Sequence, residues 1–364
     1  MRTDKKKFST RLATALMAGT LAVGMMGTST FAATGIQSDK PLTTVTVKKT
    51  VLTDGNTYAP KTTFNFTVEN GEAGTYDGNT VYKGVTDGLK AGTGAAFSPT
   101  KEGMTDVSDS YSTTGTLTTD ISKFTRAGVY HYIVKEAANS YEGIQADSTS
   151  YHVYVYVYAE TDGSLYIGDV VSTKTPGDKS GKADLEFSNN YGAGQNDSTH
   201  DITIKKIING NQAKKDDTFT VTVTVNGADG EKYKVVVNEG KAEAVTDSLV
   251  SGTSKNFTVT NDTTIRVYGL TQSDTVTVTE ANNTDGYRAS YSKVKSSAGT
   301  EYSENTIDAG VNVKQDNSKA EVTNTKNAVS PTGIVLNYGP YILMIALAGS
   351  MAVFFLRKKN RKEA

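Results

Sequence analysis

Val45-Thr46-Val47-Lys48-Lys49-Thr50-Val51 and, further along, Ile202-Thr203-Ile204-Lys205-Lys206-Ile207-Ile208 are one pattern written twice. In an extended strand, successive side chains point to opposite faces, so residues two apart share a side. Val45, Val47 and Val51 are in phase with Lys49, and Ile202, Ile204 and Ile208 with Lys206. The second lysine of each pair is therefore sent toward the apolar face, and Lys48 and Lys205 toward water. A lysine aimed inward at the same phase of two strands indicates an internal duplication.

Two further polar positions repeat in the same order. Tyr132-Ile133-Val134-Lys135-Glu136 corresponds to Val276-Thr277-Val278-Thr279-Glu280, and Leu185-Glu186-Phe187-Ser188-Asn189 to Glu321-Val322-Thr323-Asn324. Parity with Tyr132 and Val134, and with Val276 and Val278, places Glu136 and Glu280 inside. Leu185 and Phe187 select Asn189 over Asn190, and Val322 selects Asn324. Each half of the chain thus aims one Lys, one Glu and one Asn at its own core.

The remaining pattern is that of an all-β protein. Tyr151 to Tyr158 alternates Tyr, His and Val as a strand packed on both faces, and Phe64–Val68 and Phe219–Val225 alternate likewise. The 20 Tyr, the abundant Thr and Val, and recurrent Gly/Asn/Asp turn pairs favour many short strands over helices. Such strands predict β-sandwiches. The stretch Gly192 to Thr199, rich in small and polar residues, reads as the connection between two of them. The expected organisation is a leader over 1–32, domains over 37–192 and 201–328 joined by a linker at 193–200, and a C-terminal address over 329–364.

A buried ammonium or carboxylate is disfavoured, and desolvation promotes the neutral forms. A neutral lysine amine is a nucleophile, a protonated Glu polarises a carbonyl, and an Asn side chain is an amide. Held in contact, the amine can attack the Asn Cγ while Glu moves protons and ammonia leaves. Positioning alone supplies much of the barrier reduction. The pattern therefore predicts Lys49–Asn189 and Lys206–Asn324 isopeptide bonds, assisted by Glu136 and Glu280. The competing reading of each trio is a rim ion pair with an Asn at a strand end.

The 364 residues allow two domains of ordinary size, and a net charge of -1 argues against a nucleic-acid partner. Basic residues cluster at the termini instead. Arg2, Lys5, Lys6, Lys7 and Arg11 precede an apolar run from Leu12 to Met26, and Thr30-Phe31-Ala32 offers small residues at -3 and -1 of a cleavage site after Ala32. This is the pattern of an exported chain. It has no Cys, so disulfides, zinc thiolates and Cys nucleophiles are all excluded. His131, His152 and His200 are scattered; the first two are expected to point outward from strands. No cofactor, metal site or turnover chemistry is expected.

At the other end, Ile334 to Leu356 is almost wholly apolar and is followed by Arg357-Lys358-Lys359-Asn360-Arg361-Lys362. That is one membrane span with a cytoplasmic basic end. Val329-Ser330-Pro331-Thr332-Gly333 stands before it, and the order of motif, span and charges resembles the cell-wall sorting signal read by sortases. Its usual Leu-Pro-x-Thr-Gly form is shortened here, because Pro331 directly precedes Thr332. The residue before a proline favours extended backbone, which would present Thr332 to the enzyme. A sortase thiolate would attack the Thr332 carbonyl, release Gly333 onward and hold residues 33–332 as a thioester.

Taken with the Lys-Lys strands, the Glu strands, Phe-Ser-Asn and Val-Thr-Asn, the chain resembles the FctA-type major pilins of Gram-positive bacteria over nearly its whole length. Val278-Thr279-Glu280 followed by Asp285-Gly286-Tyr287 is also similar to the E-box of pilins. The resemblance implies two tandem immunoglobulin-like (CnaB-type) sandwiches with self-made isopeptide bonds, between a signal peptide and a sorting-signal helix. It implies a covalent homopolymer built by a pilus-specific sortase, attached to the cell wall, with ancillary pilins and peptidoglycan as further partners. The membrane would hold only the precursor.

In such pilins the lysine that accepts the next subunit lies shortly before the last strand of the first domain. Lys182 fits best by spacing, with Lys179 and Lys174 as alternatives. The Tyr-Pro-Lys motif of other pilins is absent, and Tyr58-Ala59-Pro60-Lys61 is only a loose echo. A wall-anchored monomeric adhesin or an ancillary pilin is the competing function, and a wall-anchored hydrolase lacks any recognisable site.

Overall fold

The computed structural model describes residues 41–193, 198–281, 285–328 and 331–360. The leader at 1–32, residues 194–197 of the linker, and Val329-Ser330 lie outside the described residues. Within them the chain is two tandem immunoglobulin-like β-sandwiches followed by a helix, Pro331–Asn360.

In the first sandwich one sheet holds, side by side, Glu186–Asn190, Thr44–Leu52, Ser110–Thr119 and Leu89–Ala91. The facing sheet runs Leu165–Thr173, Ser150–Ala159, Gly128–Glu136, Asn79–Lys83 and Gly74–Tyr76. Phe66–Asn70 pairs with the far half of Gly128–Glu136. Val45, Val47, Val51 and Leu117 from one sheet meet Tyr132, Val134, Val153 and Val155 from the other in a common core. Fully burying a valine of this kind contributes about 1.5–3 kcal/mol.

The second sandwich repeats the plan. Its opening strand His200–Asn209 lies between Ser318–Thr325 and Thr264–Leu270. The facing sheet is Ser254–Val259, Phe219–Asn226, Thr275–Glu280 and Val311–Asn312. The strand starts at His200, one residue inside the stretch read as linker, because His200 pairs with Leu270 and its ring contacts Asp316 at 3.2 Å.

In both sandwiches the opening and closing strands are neighbours and run parallel. The facing partners are Val51 with Asn189 and Ile208 with Asn324. Lys49 and Lys206 therefore lie two residues away from their asparagines along the same face of the sheet.

The strand Ser150–Ala159 buries both faces. Tyr151, Val153, Val155 and Val157 enter the main core, whereas Tyr154 and Tyr156 join Tyr76, Val81, Val129 and Val171 in a second cluster. The Gly74–Lys83 hairpin lays Tyr76 on Tyr154, with ring centroids 4.1 Å apart. This cover corrects the expectation for His131. It leaves the main core as parity requires, yet it is buried, stacks on Tyr154 and hydrogen-bonds His152 at 2.9 Å. His152 is half-buried beside it.

The two domains meet through a carboxylate. Glu231 of the second domain, 6% exposed, accepts hydrogen bonds from Tyr141 Oη at 2.5 Å and Tyr233 Oη at 2.6 Å. Tyr141 belongs to the first domain, and Tyr191, also from there, closes over the same group. Asp274 is buried beside Glu231: a Cβ on Gly227 would lie 2.3 Å from Asp274 Oδ1 and 2.4 Å from Glu231 Oε2. Lys61 pairs at the rim with Asp229, 2.7 Å away.

Burial, and then the neighbouring Glu231, push the Asp274 carboxyl up to about 7 from an ordinary 3.8. Between those values the folded chain binds the extra proton, so stability falls as pH rises through that window and levels off above it. Asp274→Asn is expected to flatten this dependence, raising stability at neutral pH relative to wild type by roughly 3–5 kcal/mol. Thermal unfolding of the two chains across the window checks this; parallel profiles would refute it.

Within the C-terminal helix, Gly339–Lys358 is long and apolar enough to cross a membrane, with a mean hydropathy of 1.9. Its apolar side chains from Tyr341 to Leu356 face outward.

Candidate functional site

Each sandwich brings its lysine, glutamate and asparagine together in the core. In the first domain Lys49 and Asn189 come from adjacent parallel strands of one sheet, and Glu136 reaches across from the end of a strand in the facing sheet. Lys49 Nζ donates to Asn189 Oδ1. Asn189 Nδ2 donates to Glu136 Oε1 at 2.6 Å, and Lys49 Nζ lies 2.9 Å from Glu136 Oε2. Both Lys49 and Asn189 are 0% exposed.

The second domain reproduces the ring of contacts. Lys206 Nζ donates to Asn324 Oδ1 and to Glu280 Oε2, the latter at 2.5 Å, and Asn324 Nδ2 donates to Glu280 Oε1 at 2.6 Å. Glu280 again comes from the facing sheet. Lys48, by contrast, is exposed and pairs with Glu186 on the surface, as Lys205 does with Asp262.

An aromatic ring closes each site. Phe64 lies under Lys49 Nζ at 4.6 Å and Phe219 under Lys206 Nζ at 4.4 Å. These rings hold the ammonium by cation–π attraction, and they also exclude water. Burial lowers the pKa of both lysines, and the Glu of each trio only partly opposes it. The neutral amine is thus more accessible than in water. The arrangement sets an amine against a carboxamide whose oxygen and nitrogen are already engaged, with a carboxyl group touching both.

Strand parity does not reveal Phe64 and Phe219, since an aromatic in a strand reads first as core. Nor does it reveal Asp147, whose Oδ2 accepts the Ser188 backbone N–H at 2.7 Å, immediately before Asn189. Tyr287, of the E-box-like stretch, packs edge-on against Phe219 at 5.1 Å and donates to Asp217.

The candidate acceptor lysines lie in the segment between Leu165–Thr173 and Glu186–Asn190. Lys182 is exposed, and its backbone bridges to Thr173. Lys179 pairs with Asp77 at 3.2 Å, and Lys174 lies 5.7 Å above the Tyr151 ring. Lys61, from the loose Tyr-Ala-Pro-Lys echo, sits at the domain junction against Asp229.

Pro331, Thr332 and Gly333 open the C-terminal helix, and are not extended as the sequence suggests. Proline is well placed in a first helical turn, where its fixed φ suits the helix and its missing N–H has no intrahelical partner to lose.

Residues 45–192 match the family described as the Spy0128-like isopeptide containing domain, FctA. Residues 200–326 match a domain of unknown function, DUF7601. The chain is 28% identical over 351 residues to a protein named pilin from Streptococcus pyogenes serotype M1, spanning 91% of this chain and 96% of that one. Among solved structures, the major pilin protein T3.2 from S. pyogenes serotype GAS13637 superposes with a TM-score of 0.59 at 25% identity, covering 79% of this chain and 99% of that one. The major pilin T-13 from S. pyogenes serotype GAS131465 shares the fold, with a TM-score of 0.54 at 23% identity over 79% and 98% of the two chains.

Proposed function

We propose that this chain, whose first domain is of the FctA type and which resembles a streptococcal pilin over most of its length, is the backbone subunit of a sortase-built surface pilus. The observation that carries this is the duplicated buried trio, one in each of two domains arranged in series. Within each trio the neutral lysine amine attacks Asn Cγ. The C–N bond to Nζ forms, the Cγ–Nδ2 bond breaks, and the Glu carries the proton from Nζ to the departing ammonia. Lys49–Asn189 and Lys206–Asn324 then join the first and last strands of their domains. Tension entering one strand leaves by the other through a covalent bond, bypassing the sheet.

Strand direction supports a head-to-tail polymer. The closing strand of the first domain runs toward the junction, and Lys182 precedes it, bridged to Thr173 on the body of that domain. The closing strand of the second domain runs parallel to His200–Asn209 and away from the junction, toward Pro331. In this reading the donor leaves from the second domain, away from the junction, and the acceptor is carried by the first. In this reading the sortase unwinds the first helical turn, cleaves after Thr332, and delivers the carbonyl to Lys182 of another subunit, with final attachment to the cell wall.

Co-expression of the full chain with a pilus sortase is expected to produce an SDS-resistant ladder. A single wall-linked species would instead indicate the anchored adhesin.

A further inference from the structure

The two trios are alike, but their surroundings differ. The closing strand of the second domain, Ser318–Thr325, is paired on both sides: with the opening strand, and with Arg288–Tyr291, which sets Ala289 opposite Asn324. The closing strand of the first domain, Glu186–Asn190, is a five-residue edge strand with the opening strand as its sheet neighbour. An edge strand leaves backbone donors unpaired and is held less firmly.

A turn around residue 147 stands in for the missing neighbour. Gln145 N–H donates to Asn190 O at 3.1 Å. Asp147 accepts Ser188 N–H through Oδ2 at 2.7 Å and Thr149 N–H through Oδ1 at 2.8 Å. The carboxylate is thereby fixed by its own turn and grips the residue next to Asn189. Burial alone would raise its pKa, but the hydrogen bonds from Thr149 and Ser188, with the charge of Lys49, hold it below the usual range.

We propose that Asp147 is a positioning residue for the Lys49–Asn189 bond, seating the Asn189 carboxamide by clamping the Ser188 amide, a role that backbone pairing fills in the second domain. The proposal rests on the cross-linking reading above. Asp147 also acts on Lys49 through space, where its negative charge favours the ammonium and so opposes deprotonation. Its geometric help and its electrostatic effect have opposite signs, and two substitutions separate them.

Asp147→Ala removes both. Asp147→Asn removes the charge and keeps one acceptor oxygen, enough for the Ser188 N–H, while its amide nitrogen gives up the bond from Thr149. The test is intact mass and peptide mapping of the full chain, sampled with time after synthesis over a range of pH. In Asp147→Ala, closure of Lys49–Asn189 is expected to slow by about tenfold to a hundredfold, the scale of a small misplacement of reacting groups. Lys206–Asn324 in the same molecules should close at the wild-type rate. Asp147→Asn is expected to close faster than Asp147→Ala, with its pH profile for the first bond displaced to lower pH. Wild-type closure of both bonds in Asp147→Ala, or an undisplaced profile in Asp147→Asn, overturns the proposal alone. A wild-type chain that never loses ammonia overturns the cross-linking reading and this proposal with it.

Discussion

The secreted product is expected to weigh less than its sequence by two molecules of ammonia, and Glu136→Ala or Glu280→Ala should each restore one. Each bond would close a long loop, between residues 140 apart in the first domain and 118 apart in the second. In the chain-entropy description of a cross-link, loops of this size stabilise by about 5 kcal/mol. For domains of this length that corresponds to a fall in Tm of roughly 15–20 °C when one link is lost. The Glu→Ala variants carry a further penalty, because they leave a buried ammonium without its counter-charge. Asn189→Ala and Asn324→Ala separate the two effects: they remove the link and leave the buried Lys–Glu pair whole. Calorimetry should therefore rank wild type above Asn189→Ala, and Asn189→Ala above Glu136→Ala. An unmodified wild-type mass would defeat the cross-link outright, whatever the melting temperatures.

The trios were legible in the sequence because a strand has a period of two, and a polar residue in phase with valines has only one direction to point. Lys49, Glu136 and Asn189 could be assigned to one interior without knowing which strands were neighbours. What periodicity does not carry is the partner of an isolated polar residue. Asp147 meets Ser188 from 41 positions away, and Glu231 meets Tyr141 from 90 away. Neither contact leaves a local pattern, since each depends on how a loop lies across an edge or how two domains abut. His131 shows the same limit from the other side. Parity turned it away from the core, but whether that face meets water depended on a hairpin beginning at Gly74. The start of the C-terminal helix was hidden for a different reason, because a proline marks both an extended segment before it and a favourable first helical turn.

Replacing Lys182 by arginine is expected to abolish the SDS-resistant ladder while leaving both internal cross-links intact. The acceptor must offer a neutral amine to the thioester, so it needs exposure and freedom from a counter-ion. Lys182 is exposed, whereas Lys179 is paired with Asp77 and Lys174 leans on Tyr151. Arginine keeps the charge and length but does not deprotonate in proteins and cannot act as the nucleophile. An effect of charge on sortase docking would survive Lys182→Arg; loss of the nucleophile would not. Lys179→Arg and Lys174→Arg should polymerise like wild type, since ion pairing at such exposed sites contributes little to stability. An intact mass two ammonia molecules below that of its own sequence in Lys182→Arg shows that the core has folded and closed, which assigns the missing ladder to the acceptor alone. A ladder that persists in Lys182→Arg and vanishes in Lys179→Arg would move the acceptor to the neighbouring lysine. It would keep the head-to-tail direction, because both residues belong to the same loop of the first domain, between Leu165–Thr173 and Glu186–Asn190.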